Sequence, residues 1–192
     1  MKDAEIEIQV QIEDETPLRN FLKTSGRYVG ELRQVDEYFT PPHKDFLAER
    51  PVSEWLRLRD ENGKAKVTYK FVHFKESGES HFRDEYETAV SDIQTLRSIF
   101  QALGFRSIVT VDKERQVYVY KDYEVVFDEV VGLGKFTEVE YKGESSVDDP
   151  QRVTDEMIAF LKEVGCVTMK RNYQGYPFLL LFPKEAVFEV VT

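Results

Sequence analysis

The chain has one cysteine, Cys166, so it can form no internal disulfide, which fits a reducing cytoplasm. It has three histidines, His43, His73 and His81, and none stands at metal-ligand spacing from another. No apolar run approaches the ~20 residues of a membrane span, and the start, Met-Lys-Asp-Ala-Glu, lacks the apolar stretch of a signal peptide. An excess of positive charge is also missing. The formal net charge is -10, which argues against nucleic-acid binding through a basic surface. Gly132 and Gly134 precede no helix signal, so they suit a turn between strands rather than a phosphate loop. No internal repeat or low-complexity segment is visible. What remains is a chain of 192 residues, expected to be soluble and cytoplasmic and to form one domain over 1–192.

What the chain has in quantity is charge, at 32% of residues. That charge is written in strand rhythm. Glu5, Glu7, Gln9 and Gln11 alternate with Ile6, Ile8, Val10 and Ile12, and strand side chains alternate between faces. The pattern recurs with both signs at Arg57/Arg59, Lys66/Lys70, Arg83/Glu85/Glu87, Lys113/Arg115, Glu124/Asp128 and Glu138/Glu140. If these faces converge, the inside of the sheet is a charged cavity. Such a cavity suits a polyanion held together with divalent metal.

Strand signals dominate the chain. Strands are expected at 5–12, 35–39, 55–60, 66–74, 81–90, 108–120, 123–130 and 136–141, with hairpin turns at Asn62-Gly63 and Lys121-Asp122. Three helices are expected. The first starts at Thr16-Pro17 and ends at Gly26, the second follows a Ser91/Gln94 capping box and ends at Gly104, and the third runs from Asp149-Pro150 to Gly165. Residues 43–53 read as a loop, and 176–191 are apolar and mixed, with 178–182 read as core. The class is α+β: an antiparallel sheet of about eight strands closed into a barrel or tunnel, with about three helices or more packed outside it.

These residues resemble the CYTH superfamily, the triphosphate tunnel metalloenzymes, along nearly the whole chain. Its opening Glu-x-Glu-x-Lys stands here as Glu5-Ile6-Glu7-Ile8-Gln9. Gln34 to Phe39 is similar to its second strand, Leu56-Arg57-Leu58-Arg59 to its Arg-x-Arg strand, Lys70 to the lysine that follows, Arg83 to Glu87 to its middle strand, and Lys113-Glu114-Arg115 to its Lys-x-Arg pair. Asp128 to Glu140, reading DEVVGLGKFTEVE, resembles the class IV adenylyl cyclase-like branch in particular.

The resemblance implies a role for each residue. Arg57, Arg59, Lys70, Lys113 and Arg115 would grip the phosphate chain. Glu5, Glu7, Glu138 and Glu140 would bind magnesium or manganese. Arg83, Glu85, Glu87, Asp128 and Gln9 would support the site, although cross-strand ion pairs explain Arg83, Glu85 and Glu87 equally well, and Asp128 has a pairing with Lys113 or Arg115 as its plain alternative. The implied partner is ATP, another nucleoside triphosphate or inorganic polyphosphate, and a homodimer is compatible with the family. Two reactions remain open. A cyclase forms cyclic AMP and pyrophosphate, and a triphosphatase releases the terminal phosphate. The departure at Gln9 opens a third outcome, a tunnel that binds without turnover, because an amide carries no charge and cannot act as a base.

Overall fold

The computed structural model describes residues 6–74, 80–143 and 149–191, with side chains at 6–73, 84–143 and 149–191. Glu5 and the side chain of Arg83 lie outside them. The described elements run β1 (Glu7–Ile12), α1 (Thr16–Ser25), β2 (Arg27–Thr40), β3 (Glu54–Glu61), β4 (Lys64–Phe74), β5 (Ser80–Val90), α2 (Ile93–Ala102), β6 (Arg106–Tyr120), β7 (Tyr123–Val130), β8 (Gly134–Tyr141), α3 (Pro150–Glu163), β9 (Met169–Asn172), α4 (Gly175–Leu181) and β10 (Phe188–Val191). The architecture is α+β, as expected.

All strands join one antiparallel sheet in the order β10-β9-β1-β8-β7-β6-β2-β3-β4-β5. The expected closure is corrected in one respect: β10 and β5 are the two edges, and main-chain hydrogen bonds do not close the sheet among the described residues. Two short strands, β9 and β10, raise the strand number above the eight expected. They are four residues each, too short to show a period in the sequence.

Local chemistry explains most element boundaries. Asn62 and Gly63 both have positive φ, 50° and 83°, the demand of a tight two-residue hairpin turn, and Asn-Gly meets it between β3 and β4. In α2 the cap is Asp92 rather than Ser91. Its carboxylate accepts from the Thr95 amide at 2.9 Å, and an ionised acceptor at a helix N-terminus also complements the helix dipole. Asp149 does the same for α3. At α1 the side chain of Asp14, not of Thr16, accepts the Thr16 amide. β2 begins eight residues earlier than its alternation suggests, because the long partner β6 pairs with it from Arg27 to Thr40.

The sheet has an apolar core on each side. On one side, Ile6, Ile8, Val10 and Ile12 of the first strand, with Val125, Phe127 and Val139, pack under Leu18 and Leu22 of α1 and Met157 and Leu161 of α3. α2 lies on this outer side too, through Phe100 against Phe39. On the other side, Tyr38, Trp55, Val111, Val130 and Phe136 meet Tyr176, Phe178 and Leu179 of α4. A fourth helix, absent from the sequence reading, therefore packs against the charged side of the sheet. Phe178 is core, as expected.

Candidate functional site on the charged face of the sheet

Alternation places the charged residues on one face, and register aligns them into rows. Gln9 stands opposite Glu138 on β8 and Asn172 on β9. Glu7 faces Glu140, and Glu140 faces Glu124. Arg115 faces Asp128, Asp36 faces Arg59, Lys70 faces Glu85, and Thr68 faces Glu87. The face expected from the sequence is thus continuous across eight strands.

Two aspartates organise the cations. Asp128 accepts two bonds from Arg115, at 2.7 Å and 2.5 Å, one from Lys113 at 3.3 Å and one from the Tyr176 hydroxyl at 2.8 Å. Asp36 accepts both arms of Arg59 at 2.6 Å, with Arg57 at 3.6 Å. Arg115 also bonds Glu138. Lys113 and Asp128 are almost fully buried, and Arg57, Arg59 and Arg115 keep only 12–14% of their side chains exposed. Farther out, Lys70 pairs with Glu85 at 2.5 Å and Lys66 with Glu87 at 2.8 Å. The ion-pair alternatives for Glu85, Glu87 and Asp128 are therefore present in the structure.

This packing moves proton affinities. Burial would raise the Glu138 carboxyl, but Arg115, Lys113 and the Gln9 amide outweigh it and hold it far below the usual range. Burial would likewise raise Asp36, and Arg59, Arg57 and Lys113 hold it down. Burial and the neighbouring Arg115 push the Lys113 ammonium down, against Glu138 and Asp128. Glu140 moves the other way. Burial raises it, as do Glu7 and Glu124, and Lys142 offsets this only in part.

A pH prediction follows from the two depressed carboxyls. Groups with lowered folded pKa stabilise the fold above their unfolded pKa of about 4 and lose that contribution as protons bind. The thermal midpoint should hold near pH 6 and fall steeply below about pH 4, by more in the wild type than in a variant carrying Asp36→Asn. Parallel acid profiles for the two would contradict it.

The carboxylate row Glu7–Glu140–Glu124 is made of hard oxygen donors that repel one another, a setting relieved by a divalent cation. Glu138 is committed elsewhere, to Arg115 and Gln9. Among the described residues no group of three or more carboxylate, imidazole or thiol side chains is already arranged around a metal position. Glu7 and Glu140 supply hard oxygen donors of the kind divalent cations take, Glu140 being paired with Lys142 at 2.6 Å, while Glu5, another of the expected ligands, lies outside the described residues.

Anion chemistry has its own sign. The Nε–H of Arg57 is buried without an acceptor, and the neighbouring Asp36 carboxylate keeps the guanidinium charged against the cost of burial. A cavity of about 920 Å³ lies elsewhere, on the outer side near α1 and α3, lined by Phe21, Tyr120, Tyr123, Tyr141 and Phe160 among others. It holds none of the charged rows.

A family model described as the CYTH domain matches residues 3–169. The chain belongs to the CYTH family. A protein of Methanocaldococcus jannaschii named "Putative adenylate cyclase" is 36% identical over 162 residues, covering 84% of this chain and 89% of that protein. A solved structure from Pyrococcus horikoshii is 26% identical, with a TM-score of 0.73, covering 94% of this chain and 99% of its own. A structure from Hippeastrum, titled as a putative adenylyl cyclase with a dominant triphosphatase activity, has a TM-score of 0.63 at 22% identity, over 95% of this chain and 97% of its own. It speaks for the fold. No helix among the described residues is long and apolar enough to cross a membrane.

The family match ends before Asn172 and Tyr176, two residues that the sequence reading missed. Nothing in Gly175–Leu181, reading GYPFLLL, signals that a tyrosine there reaches a buried aspartate. Asp36 was legible in principle, since Gln34, Asp36 and Tyr38 alternate along β2 onto the charged face.

Proposed function

We propose that this CYTH protein is a divalent-metal-dependent enzyme acting on a triphosphate along the charged face, with ATP converted to cyclic AMP and pyrophosphate as the leading reaction. The observation that carries this is the crowding of four cations, the buried Lys113 and the largely buried Arg57, Arg59 and Arg115, around Asp36, Asp128 and Glu138, in a chain whose net charge is -10. A chain of phosphates carries closely spaced negative charge that matches such a row.

The arginine forks of Arg57 and Arg59 would take phosphate oxygens in fixed planes, and Asp36 would hold them in place before the substrate arrives. Asp128 would do the same for Arg115 and Lys113. Held there, the cations would stabilise charge on the phosphates in the transition state. A metal held by Glu7 and Glu140 would supply charge neutralisation on the phosphate oxygens. α4 would limit water on one side of the row. The name of the Methanocaldococcus relative supports the cyclase reading. A second reading, binding without turnover, has its own support in Gln9, whose amide is bonded on both sides and cannot move a proton.

Titration calorimetry with tripolyphosphate and ATP, each with and without magnesium, tests the site. Binding should be tight and strengthened by metal, and Glu7→Gln should raise the magnesium needed for half-effect about tenfold, the worth of roughly 1.4 kcal/mol. Absence of binding by the wild type would refute the proposal, and an unchanged metal requirement would remove Glu7 from the metal site.

A further inference from the structure

We propose that Asn172 is a positioning residue for the phosphate cradle: it fixes the direction of the Gln9 amide, which holds Glu138 against Arg115. The three side chains form one cross-strand row, with Gln9 at its centre between β8 and β9. Asn172 is 5% exposed.

The direction of the chain of bonds is set at both ends by groups that can act in one way only. The Gln174 backbone N–H can only donate, and it donates to Asn172 Oδ1 at 3.0 Å. Asn172 therefore turns its Nδ2 toward Gln9 and donates to Gln9 Oε1. Gln9 then presents Nε2 to Glu138 and donates to Oε1 at 2.7 Å. Glu138, ionised, can only accept, and its other oxygen takes the Arg115 guanidinium. Every amide orientation agrees with its neighbour. A neutral pair, Asn172 and Gln9, thereby supplies Glu138 with a donor that carries no charge. Arg115, which also bonds Asp128, is left with both its carboxylate partners fixed.

Asn172→Asp reverses this logic without changing shape. Aspartate cannot donate to Gln9 Oε1, so the Gln9 amide turns its N–H toward residue 172 and its oxygen toward Glu138. With lysine in place of Gln9 the opposite holds, since an ammonium has three donors and no acceptor and is satisfied by carboxylates on both sides.

The binding test rests on the triphosphate reading of this face, and the bond chain itself does not. Tripolyphosphate affinity in magnesium is measured for wild type, Asn172→Asp, Gln9→Lys and the double variant. Asn172→Asp should weaken binding about tenfold in the wild type and by less than about threefold in the Gln9→Lys background, as expected for one lost bond to a charged group. Equal losses in both backgrounds would reduce Asn172 to an added negative charge or a packing residue and overturn the proposal.

If the wild type binds no tripolyphosphate, the proposed function fails on its own, and the relay is still decided by hydrogen exchange of the Gln9 side-chain amide. That amide should be protected in the wild type and exchange at least tenfold faster in Asn172→Leu. An unchanged rate overturns the proposal.

Discussion

Asp128→Ala should destabilise the protein by about 3–5 kcal/mol, the cost of leaving buried charge without its partner. Asp128 is 2% exposed and accepts from Arg115, Lys113 and Tyr176. Its removal strands the Lys113 ammonium, itself 3% exposed, beside the Arg115 guanidinium. It also frees the Tyr176 hydroxyl, loosening α4 from the sheet. Urea unfolding measures the effect. Asp128→Ala combined with Lys113→Met should recover part of the loss, because the double variant removes an uncompensated cation. A cost below about 1 kcal/mol, the range of exposed ion pairs, would show that the cluster is not buried in solution.

Arg59→Ala should weaken tripolyphosphate binding about 100-fold, as expected from two charge-assisted bonds to phosphate oxygen. Arg59 already presents both arms to Asp36 at 2.6 Å, so its fork is formed before any phosphate arrives. Arg59→Lys keeps the charge and loses the fork, and should fall between the two. Arg33 provides the control. It makes a similar bidentate pair with Asp112, at 2.8 Å and 2.6 Å, yet stands on the opposite side of β2 from Asp36, with 57% of its side chain exposed. Arg33→Ala should leave affinity within about twofold, since an exposed pair contributes little. Calorimetry at two salt concentrations checks both, and equal effects at Arg33 and Arg59 would mean that only net charge matters.

The charged face was legible because strand alternation has a period of two and needs no tertiary information. Glu7 with Gln9, Arg57 with Arg59, Lys113 with Arg115 and Glu138 with Glu140 all reveal their common side by spacing alone. Their pairing was legible only in part. The turn at Lys121-Asp122 sets Arg115 opposite Asp128 in the β6–β7 hairpin, but that Lys113, two residues farther along β6, also reaches Asp128 is a matter of side-chain reach that spacing does not give. The hairpin at Asn62-Gly63 was visible through its turn chemistry, whereas β9 and β10 were not. They are four residues long and held by pairing with β1 and with each other. α4 was hidden for a different reason. Its residues are apolar on nearly every side, so no stripe marks it as a helix, and its one informative polar group, the Tyr176 hydroxyl, declares its role only when Asp128 is beside it. Asn172 was hidden in the same way, as an ordinary strand-end amide until Gln9 faces it.

Binding and turnover of a triphosphate on this charged face, with divalent metal, can be read in a single incubation. The most direct test incubates the wild type with ATP in magnesium and, separately, in manganese, and resolves the products by chromatography. The account predicts metal-dependent loss of ATP, with cyclic AMP and pyrophosphate as the leading products; ADP with phosphate would keep the site and replace the reaction. ATP that stays intact and unbound in both metals would contradict it.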